Sequence, residues 1–303
     1  MKHFLSINDC SVEELRDLLD LSISLKKLYK SGERDMCLAG KGLAMLFEKP
    51  SLRTRISFHV AMTDLGGSAI YVKPEDIGGI GKREPVKDMA RVLSRYVDGI
   101  MARTFEHKVI VELAEFATVQ VINALTDWSH PCQAMADLLT IKEHLGRLEG
   151  VKIAYIGDGN NVARSLAFAC AKLGMKMVIA APAGYELEAE TIKTAEQISA
   201  GSVKQVHEPK QAVSEADIIY TDTWVSMGQE DEKAKRLEDF EAFQVDAELV
   251  ELAGDRVKVM HCLPAYRGLE ITDEVFESEN SIIFDQSENR LHFQRALLKK
   301  LIS

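Results

Sequence analysis

Apolar residues follow two alternating patterns through the first half of the chain. Short apolar runs typical of buried strands occupy residues 43–47, 69–72, 99–102 and 119–124. Apolar residues recur at helical spacing in four stretches between and after these runs. Two of the stretches begin after Ser51 and after Pro131, and the other two span residues 85–96 and 106–116. An earlier helix is predicted from the capping box of Ser11 and Glu14. Strands that alternate with helices predict βαβ units and hence a parallel sheet.

The same alternation restarts after a connector at residues 146–150. Strands are predicted at residues 152–156, 177–180, 203–206, 217–221, 257–260 and 282–284, followed by an amphipathic helix at residues 288–301. We therefore predict an α/β protein of two doubly wound parallel-sheet domains, residues 1–147 and 148–287. Ligands of such sheets bind beyond the carboxyl ends of the strands, so the active site is expected in the cleft between the domains.

Polar residues cluster where six of the predicted strands end. The clusters are Ser51 to Arg55, Arg103 with Thr104, His130 to Gln133, residues 157–161, residues 222–228 and residues 261–264. Since carboxyl ends of parallel strands share one edge of a sheet, these clusters are the candidate ligand contacts.

The first cluster lies on a turn between a predicted strand and a predicted helix. Ser51 and Thr54 offer hydroxyl donors there, and Arg53 and Arg55 offer planar guanidinium groups. A simpler interpretation is that Ser51 caps the helix while both arginines are solvated. Two cations at a helix start, however, oppose the helix dipole unless an anion binds there. The pattern therefore favours a site for a phosphate dianion.

The charge distribution also favours a small anionic ligand. The 303 residues carry a formal net charge of −10, which argues against nucleic acid or an anionic membrane as a partner. Residues 49–108 nevertheless hold 11 lysines and arginines against 7 acidic residues, an excess of +4 around the predicted phosphate site.

Cysteine usage and the start of the chain indicate an intracellular setting. The five cysteines, none of them in a Cys-x-x-Cys pair, are expected to be reduced thiols without a disulfide framework or a zinc ribbon. No apolar run approaches the length of a membrane span, and the first ten residues lack the basic-then-apolar order of a signal peptide. We expect a cytoplasmic protein.

A nucleotide-binding interpretation of Gly157 and Gly159 is disfavoured. The third glycine of the dinucleotide fingerprint would fall at Val162, and no acidic residue follows the next predicted strand to bind a ribose. Asn160 and Asn161 instead offer amide donors and acceptors at a helix start, either for a ligand or as a capping pair.

Three single residues are candidates for the chemistry. His130 precedes Pro131 at a predicted helix start, where a lowered pKa would keep it neutral to polarise a carbonyl, although a lone histidine is more often structural. Asp222 at a strand end could hold an ammonium group. Cys262 is not expected to act as a protease-like nucleophile, because the adjacent His261 points the opposite way on an extended chain. A thiol that bonds an amine beside Asp222 and a buried structural cysteine are the alternatives.

Four motifs occur in order across nearly the whole chain. They are Ser-x-Arg-Thr-Arg from Ser51, His-Pro-Cys-Gln from His130, Asp-x-x-x-Ser-Met-Gly from Asp222, and His-Cys-Leu-Pro from His261. Together they closely resemble the aspartate/ornithine carbamoyltransferase family, whose ornithine branch is marked by the last two. The resemblance implies transfer of the carbamoyl group of carbamoyl phosphate to the δ-amine of L-ornithine, giving L-citrulline in arginine metabolism, without a metal or a cofactor.

The resemblance also implies the site residues. The expected contacts of carbamoyl phosphate are Ser51, Leu52, Arg53, Thr54, Arg103, His130, Gln133, Cys262, Leu263 and Arg290, and those of ornithine are Asn161, Asp222, Ser226 and Met227. Arg103 and His130 are expected to polarise the carbonyl, and Asp222 and Cys262 to orient the amine and help remove its proton. The family further implies a homotrimer with shared active sites, a helix at residues 288–303 that packs on the first domain, and often a cis bond before Pro264.

Three positions depart from the family pattern, and two alternatives stay open. Leu52 stands where threonine is the commonest residue in the family, and His59 stands where glutamate is frequent. Gly79 stands where relatives usually have a glutamine or histidine that reaches the phosphate of the neighbouring subunit. Either Lys82 or Arg83 substitutes for that residue, or carbamoyl phosphate binds more weakly. The alternatives are a carbamoyltransferase for another amine, such as putrescine, and a non-catalytic relative that binds carbamoyl phosphate or an amino acid.

Overall fold

The structure, a computed structural model, describes residues 1–198 and 200–303. Within these residues the strands form two parallel sheets. In chain order they are β1 (Gly42–Phe47), β2 (Ser68–Val72), β3 (Gly99–Arg103), β4 (Gln120–Leu125), β5 (Lys152–Ile156), β6 (Lys176–Ala180), β7 (Ser202–Val206), β8 (Ile218–Thr221) and β9 (Lys258–His261). The first sheet has the order β2-β1-β3-β4 and the second β7-β6-β5-β8-β9. The prediction of two parallel-sheet α/β domains is confirmed.

The helices fall largely where apolar residues recur at helical spacing. In chain order they are α1 (Val12–Lys30), α2 (Leu52–Asp64), α3 (Pro74–Ile77), α4 (Val86–Leu93), α5 (His107–Phe116), α6 (Pro131–Leu145), α7 (Asn161–Leu173), α8 (Ala189–Ile198), α9 (Pro209–Val213), α10 (Lys233–Asp239), α11 (Ala247–Ala253), α12 (Asp273–Phe276) and α13 (Ile283–Ile302). The predicted capping box of α1 is confirmed, since the Glu14 backbone N–H donates to Ser11 Oγ and the Ser11 N–H donates to Glu14 Oε2.

The chain divides into two compact units. The first unit comprises Met1–Leu139 and Glu288–Ser303, and the second comprises Thr140–Ser287. The first division lies inside α6, before the domain boundary expected at residue 147, which stays a prediction.

Each sheet has one point where the order of its strands reverses. In the first sheet this point lies between β1 and β3, where Phe47 pairs with Arg103. In the second sheet it lies between β5 and β8, where Ile156 pairs with Thr221. Loops that leave neighbouring strands there diverge to opposite faces, which opens a crevice for ligands. The residues that follow β1 and β3 are therefore placed to form a site in the first unit, and those that follow β5 and β8 are placed to form one in the second.

The predicted strand at residues 282–284 is wrong. Ser281 makes a single bridge to Val259 of β9, with the Ile282 N–H donating to the Val259 carbonyl at 3.0 Å, and α13 begins at Ile283. Two buried isoleucines, Ile282 and Ile283, produce the apolar run, but they belong to the entry and first turn of a helix. Short apolar runs do not distinguish the two structures.

Two further expectations concern the backbone and the helices. The peptide bond between Leu263 and Pro264 is cis, which confirms the expectation from the family resemblance. Among the described residues no helix combines the length and the apolar character needed to cross a membrane.

Candidate active site

The turn after β1 carries the first part of the site. Ser51 caps α2: its Oγ accepts from the Thr54 backbone N–H at 3.2 Å and donates to Thr54 Oγ1 at 3.1 Å. Thr54 is fully buried, whereas the Leu52 side chain is 75% exposed. A helix N-terminus concentrates partial positive charge and backbone N–H donors, so the turn is built to receive an anion. Leu52 can contribute to such a site through its backbone.

Arg290 on α13 joins this turn to α6. Its Nη2 donates to Thr54 Oγ1 at 2.7 Å, and its Nη1 donates to Gln133 Oε1 at 2.9 Å. The amide of Gln133 in turn donates through Nε2 to Asp137 Oδ1 at 2.8 Å. Arg290 is only 3% exposed, and Gln133 and Asp137 are fully buried. The predicted residues Thr54, Gln133 and Arg290 are thus brought together, with Asp137 as a partner that no motif indicated.

The ends of β3 and β1 add two more buried cations. Arg103 is 7% exposed, and its carbonyl accepts from the Glu48 N–H at 2.8 Å, which fixes it beside the turn after β1. Lys49 is 8% exposed, and its Nζ lies 4.3 Å from the centre of the Phe105 ring. Burial, and next the charge of Arg103, lower the pKa of Lys49. Lys49 belongs to none of the four motifs, although its position two residues before Ser51 was a signal.

His130 lies among the guanidinium groups of the first unit. Its side chain is 4% exposed, and it directly precedes the first residue of α6. Burial holds the pKa of His130 well below its usual value, and the charges of Arg290, Arg103 and Arg53 act in the same direction. The imidazole is therefore neutral at neutral pH, as a group that polarises a carbonyl needs to be. Three guanidinium groups around a neutral imidazole suit a ligand with a carbonyl and a phosphate.

Asp222, at the end of β8, is the centre of the site in the second unit. Its Oδ1 accepts from Cys262 Sγ at 2.8 Å and from the Thr223 N–H at 2.7 Å, and its Oδ2 accepts from Asn160 Nδ2 at 2.8 Å. Asp222 is 6% exposed and Cys262 is half-buried. The predicted pair of a carboxylate and a thiol is therefore in direct contact, and it offers polar groups suited to an amine.

His261 and Leu263 flank Cys262 and shape its loop. His261 Nδ1 accepts from the Leu263 N–H at 2.8 Å, and Nε2 lies 3.0 Å from Glu270 Oε1. Both ring nitrogens are thus engaged, which agrees with the argument that His261 does not activate the thiol. Donor atoms of Asp222, His261 and Cys262 lie within 4.8 Å of one another, but a metal ion would have to displace the Leu263 N–H to reach His261. Leu263 itself has a φ of 59°.

The loop after Asp222 is held by a buried arginine. Arg236 on α10 is 6% exposed, and its Nη1 donates to Asp158 Oδ2 at 2.9 Å and to the Trp224 carbonyl at 3.1 Å. Residues 229–236 carry mixed charges of the kind that usually forms a solvated helix face, but Arg236 is buried. Burial raises the pKa of Asp158, and the neighbouring Arg236 opposes this effect.

The two residues predicted to contact ornithine on this loop are more accessible. The Ser226 backbone N–H donates to Gln229 Oε1 at 2.9 Å, and the Met227 side chain is 43% exposed. Gly228, which follows, has a φ of 93° that favours glycine. Ser226 and Met227 therefore lie on a turn near the end of β5, because Arg236 bonds both the Trp224 carbonyl before the turn and Asp158 after β5.

Packing within the chain accounts for Gly159, in the loop after β5, without a nucleotide. A Cβ atom added to Gly159 would lie 2.3 Å from the Leu187 backbone nitrogen, so the chain itself occupies the space beside this glycine. Asn160 caps α7, because its Oδ1 accepts from the N–H groups of Val162 and Ala163. Asn161 is the first residue of α7 and is half-buried. The contact between Asn160 and Asp222 was not predicted, although the position of Asn160 at a helix start after a strand was a signal.

Comparison with known proteins places both units in one family. Residues 2–143 match the family model for the carbamoyl-P binding domain of aspartate/ornithine carbamoyltransferase, and residues 149–301 match that for the Asp/Orn binding domain. The chain is 53% identical over 302 residues to an ornithine carbamoyltransferase from Archaeoglobus fulgidus, covering 100% of this chain and 98% of the relative. It is 51% identical to the anabolic ornithine carbamoyltransferase from Pyrococcus furiosus, covering 98% and 95% of the two chains.

A solved structure agrees with these sequence matches. The ornithine carbamoyltransferase structure from Pyrococcus furiosus superposes with a TM-score of 0.97 at 50% identity, covering 99% of this chain and 97% of the other.

Proposed function

Because the chain belongs to the aspartate/ornithine carbamoyltransferase family, we propose that it transfers the carbamoyl group of carbamoyl phosphate to the δ-amine of L-ornithine. The products are L-citrulline and phosphate. One observation carries the choice of the first substrate: Arg290 donates to Thr54 on the Ser51 turn and to Gln133 on α6, in the unit that also holds the buried His130 and Arg103. This arrangement matches a molecule that combines a carbonyl with a phosphate dianion.

Asp222 supports an amine as the second substrate. Its buried carboxylate, in contact with Cys262, suits the ammonium end of ornithine and would repel the carboxylates of aspartate. Asn161 and the turn at Ser226 and Met227 are proposed to bind the amino-acid end of ornithine, which putrescine lacks.

The residue roles follow from these two half-sites. Carbamoyl phosphate is proposed to contact Ser51, Leu52, Arg53, Thr54, Arg103, His130, Gln133, Cys262, Leu263 and Arg290, with Leu52 acting through its backbone because its side chain is exposed. Ornithine is proposed to contact Asn161, Asp222, Ser226 and Met227. Arg103, His130, Asp222 and Cys262 are the proposed catalytic residues.

The reaction requires a neutral amine and a polarised carbonyl. The amine of ornithine has a lysine-like pKa of about 10.4 and is mostly protonated at neutral pH, so Asp222 and Cys262 orient it and help remove the surplus proton. The nitrogen lone pair then forms a bond to the carbonyl carbon, and Thr54, Arg103 and His130 stabilise the oxyanion. The bond from that carbon to the phosphate oxygen breaks as the carbonyl re-forms. One N–H proton leaves with the phosphate.

Phosphate release from carbamoyl phosphate tests the proposal. Purified protein is assayed with ornithine, putrescine, N-acetylornithine or aspartate between about pH 6 and about pH 10, a range that approaches the pKa of the amine. Release with ornithine alone that rises with pH is the expected result. Release with another amine would overturn the roles of Asp222, Ser226 and Met227. Binding of carbamoyl phosphate without any release would favour a non-catalytic relative.

Assembly, location and metabolic role are part of the same proposal. A homotrimer with shared active sites is expected from the family resemblance and is tested by sedimentation equilibrium. A cytoplasmic location is proposed because the five cysteines are free thiols, as is usual in a reducing compartment, and fractionation of the source cells tests it. The anabolic name of the Pyrococcus furiosus relative favours arginine biosynthesis as the metabolic role.

A further inference from the structure

Asp222 receives a hydrogen bond from a residue outside the proposed substrate contacts. Asn160 Nδ2 lies 2.8 Å from Asp222 Oδ2, although the two residues are 62 positions apart in the sequence. They follow β5 and β8, the two strands between which the order of the second sheet reverses. The contact therefore joins two strand ends at the point where a ligand is expected.

The orientation of the Asn160 amide is fixed by its surroundings. Oδ1 accepts from the backbone N–H groups of Val162 at 2.9 Å and Ala163 at 3.1 Å, and the Tyr155 hydroxyl donates to it at 3.3 Å. A flipped amide would turn its NH₂ group toward these donors and its oxygen toward the Asp222 carboxylate. Both changes are unfavourable, so Nδ2 must face Asp222. The start of α7 and the Asp222 side chain are thereby coupled through one amide.

The bonds to Asp222 leave limited space for an amine. A carboxylate offers about four acceptor positions. Cys262 and the Thr223 N–H occupy both positions of Oδ1, and Asn160 occupies one of Oδ2. One acceptor position on Oδ2 therefore remains. A substrate N–H can donate to it, and the three existing bonds fix the direction in which it points.

We propose that Asn160 is a positioning residue that orients the Asp222 carboxylate toward the substrate amine. The inference rests on the proposed function, because the amine is the δ-amine of ornithine. Without the donor from Asn160, the carboxylate can rotate while it keeps its bonds on Oδ1. Misplacement by about 1 Å can reduce catalysis about 100-fold. The effect falls on the amine and not on carbamoyl phosphate.

Two substitutions separate this role from helix capping. Asn160→Ser and Asn160→Asp both retain a side-chain oxygen of a preferred capping residue, and both remove the amide donor. Asn160→Asp also places a second carboxylate beside Asp222, and two carboxylates so close share a proton. The matched control is Asp246→Ser, which alters the cap of α11 in the same unit, where Asp246 Oδ1 accepts from the Leu249 N–H.

Steady-state kinetics give the first readout. Asn160→Ser is expected to lower kcat with ornithine roughly 10- to 100-fold while the KM for carbamoyl phosphate changes less than about twofold. In Asn160→Asp the acid limb of the pH–rate profile should also move up by about one unit or more. Asp246→Ser should retain both the rate and the profile. Equal losses for both substrates, or wild-type kinetics in both Asn160 variants, would overturn the proposal.

Alkylation of Cys262 by iodoacetamide gives a readout that is independent of turnover. Its pH dependence is measured in the wild type and each variant, with Cys262→Ala as the blank for the other thiols. Asn160→Asp should move the midpoint to higher pH, because the added charge disfavours the thiolate that Cys262 forms beside Asp222. An unchanged midpoint would contradict the coupling of Asn160 to this pair. If the wild type shows no turnover but Asn160→Asp still moves the alkylation midpoint to higher pH, the proposed function is rejected and the coupling of Asn160 to Asp222 stands.

Discussion

Arg290 shows at the scale of one residue why the planar guanidinium matters. Its two Nη atoms donate to Thr54 on α2 and to Gln133 on α6, so a single side chain fixes the relative positions of two proposed contacts of carbamoyl phosphate. A lysine ammonium carries the same charge but cannot reproduce the rigid fork.

We predict that Arg290→Lys raises the KM for carbamoyl phosphate about tenfold, because one of the two bonds is lost while the charge remains. Steady-state kinetics with carbamoyl phosphate as the varied substrate measure this change. The control is Arg55→Lys, since Arg55 is exposed and its guanidinium carbon lies 4.0 Å from the centre of the Tyr71 ring. Similar effects of the two substitutions would contradict the role of the fork.

His130 predicts a pH dependence of stability. Its pKa in the folded protein lies well below the value of about 6.5 expected in the unfolded chain, chiefly because it is buried. As the pH falls below 6.5, the unfolded chain binds a proton that the folded protein does not, so the stability is lost toward acid.

The expected loss is about 1.4 kcal/mol for each pH unit below 6.5, until the folded histidine titrates. We predict that His130→Gln removes this component, because glutamine does not titrate. Urea denaturation of the wild type and the variant from about pH 8 to about pH 5 measures the difference. Parallel stability curves below pH 6.5 would show that His130 is not held neutral.

At the scale of elements, the strands and their ends follow from local patterns, and the contacts behind the site do not. Apolar runs identified the strands, and polar motifs at their ends identified Ser51, His130 and Asp222. The run at residues 282–284 failed because a helix start and a short strand have the same apolar appearance.

Contacts that support the site join residues far apart in the sequence. Arg290 meets Thr54 across 236 positions, and Asn160 meets Asp222 across 62. No local periodicity encodes such pairs, because they depend on which strands and helices become neighbours in the fold. The resemblance to a family supplied Arg290, but it gave no indication of Asp137, Lys49 or Asn160.

Gly159 gives a prediction about the loop between β5 and α7. An alanine there would place its Cβ 2.3 Å from the Leu187 nitrogen and 2.5 Å from the Glu186 oxygen, and these backbone atoms cannot move as a flexible side chain can. We predict that Gly159→Ala lowers the free energy of unfolding by about 2 kcal/mol or more.

Gly42→Ala is the matched control, since the added Cβ would meet its nearest atoms at ordinary distances of 3.8 and 4.0 Å. Its unfolding free energy should change by less than about 1 kcal/mol. Urea denaturation measures both variants. Equal stabilities of the two variants would show that residues 186–187 can move away from Gly159.

At the scale of the whole molecule, the loop after α3 bears on the proposed trimer. Gly78, Gly79 and Gly81 all have positive φ values, between 69° and 89°, and a Cβ on Gly79 would lie 2.9 Å from Lys82 Cδ. A longer residue at position 79 would therefore be strained in this conformation. If a neighbouring subunit supplies a cation to the phosphate, Lys82 and Arg83 are the candidates on this loop.

Subunit mixing tests that assignment together with the trimer. We predict that the double variant Lys82→Ala, Arg83→Ala raises the KM for carbamoyl phosphate, and that Arg103→Ala abolishes turnover. Equal amounts of the two variants are dissociated and reassembled together. A site that draws on two subunits is complete when the double variant supplies its intact Arg103 and a neighbouring Arg103→Ala subunit supplies its intact Lys82 and Arg83. Random assembly makes about one quarter of the sites complete.

Activity measured at low carbamoyl phosphate should therefore rise above the mean of the two separate proteins after mixing. Sedimentation of the mixture confirms that hybrids have formed. A mixture no more active than that mean would show that Lys82 and Arg83 act within their own subunit. A double variant with an unchanged KM would remove these residues from the phosphate site, and carbamoyl phosphate would then be held by the first unit's Ser51 turn and its buried arginines alone.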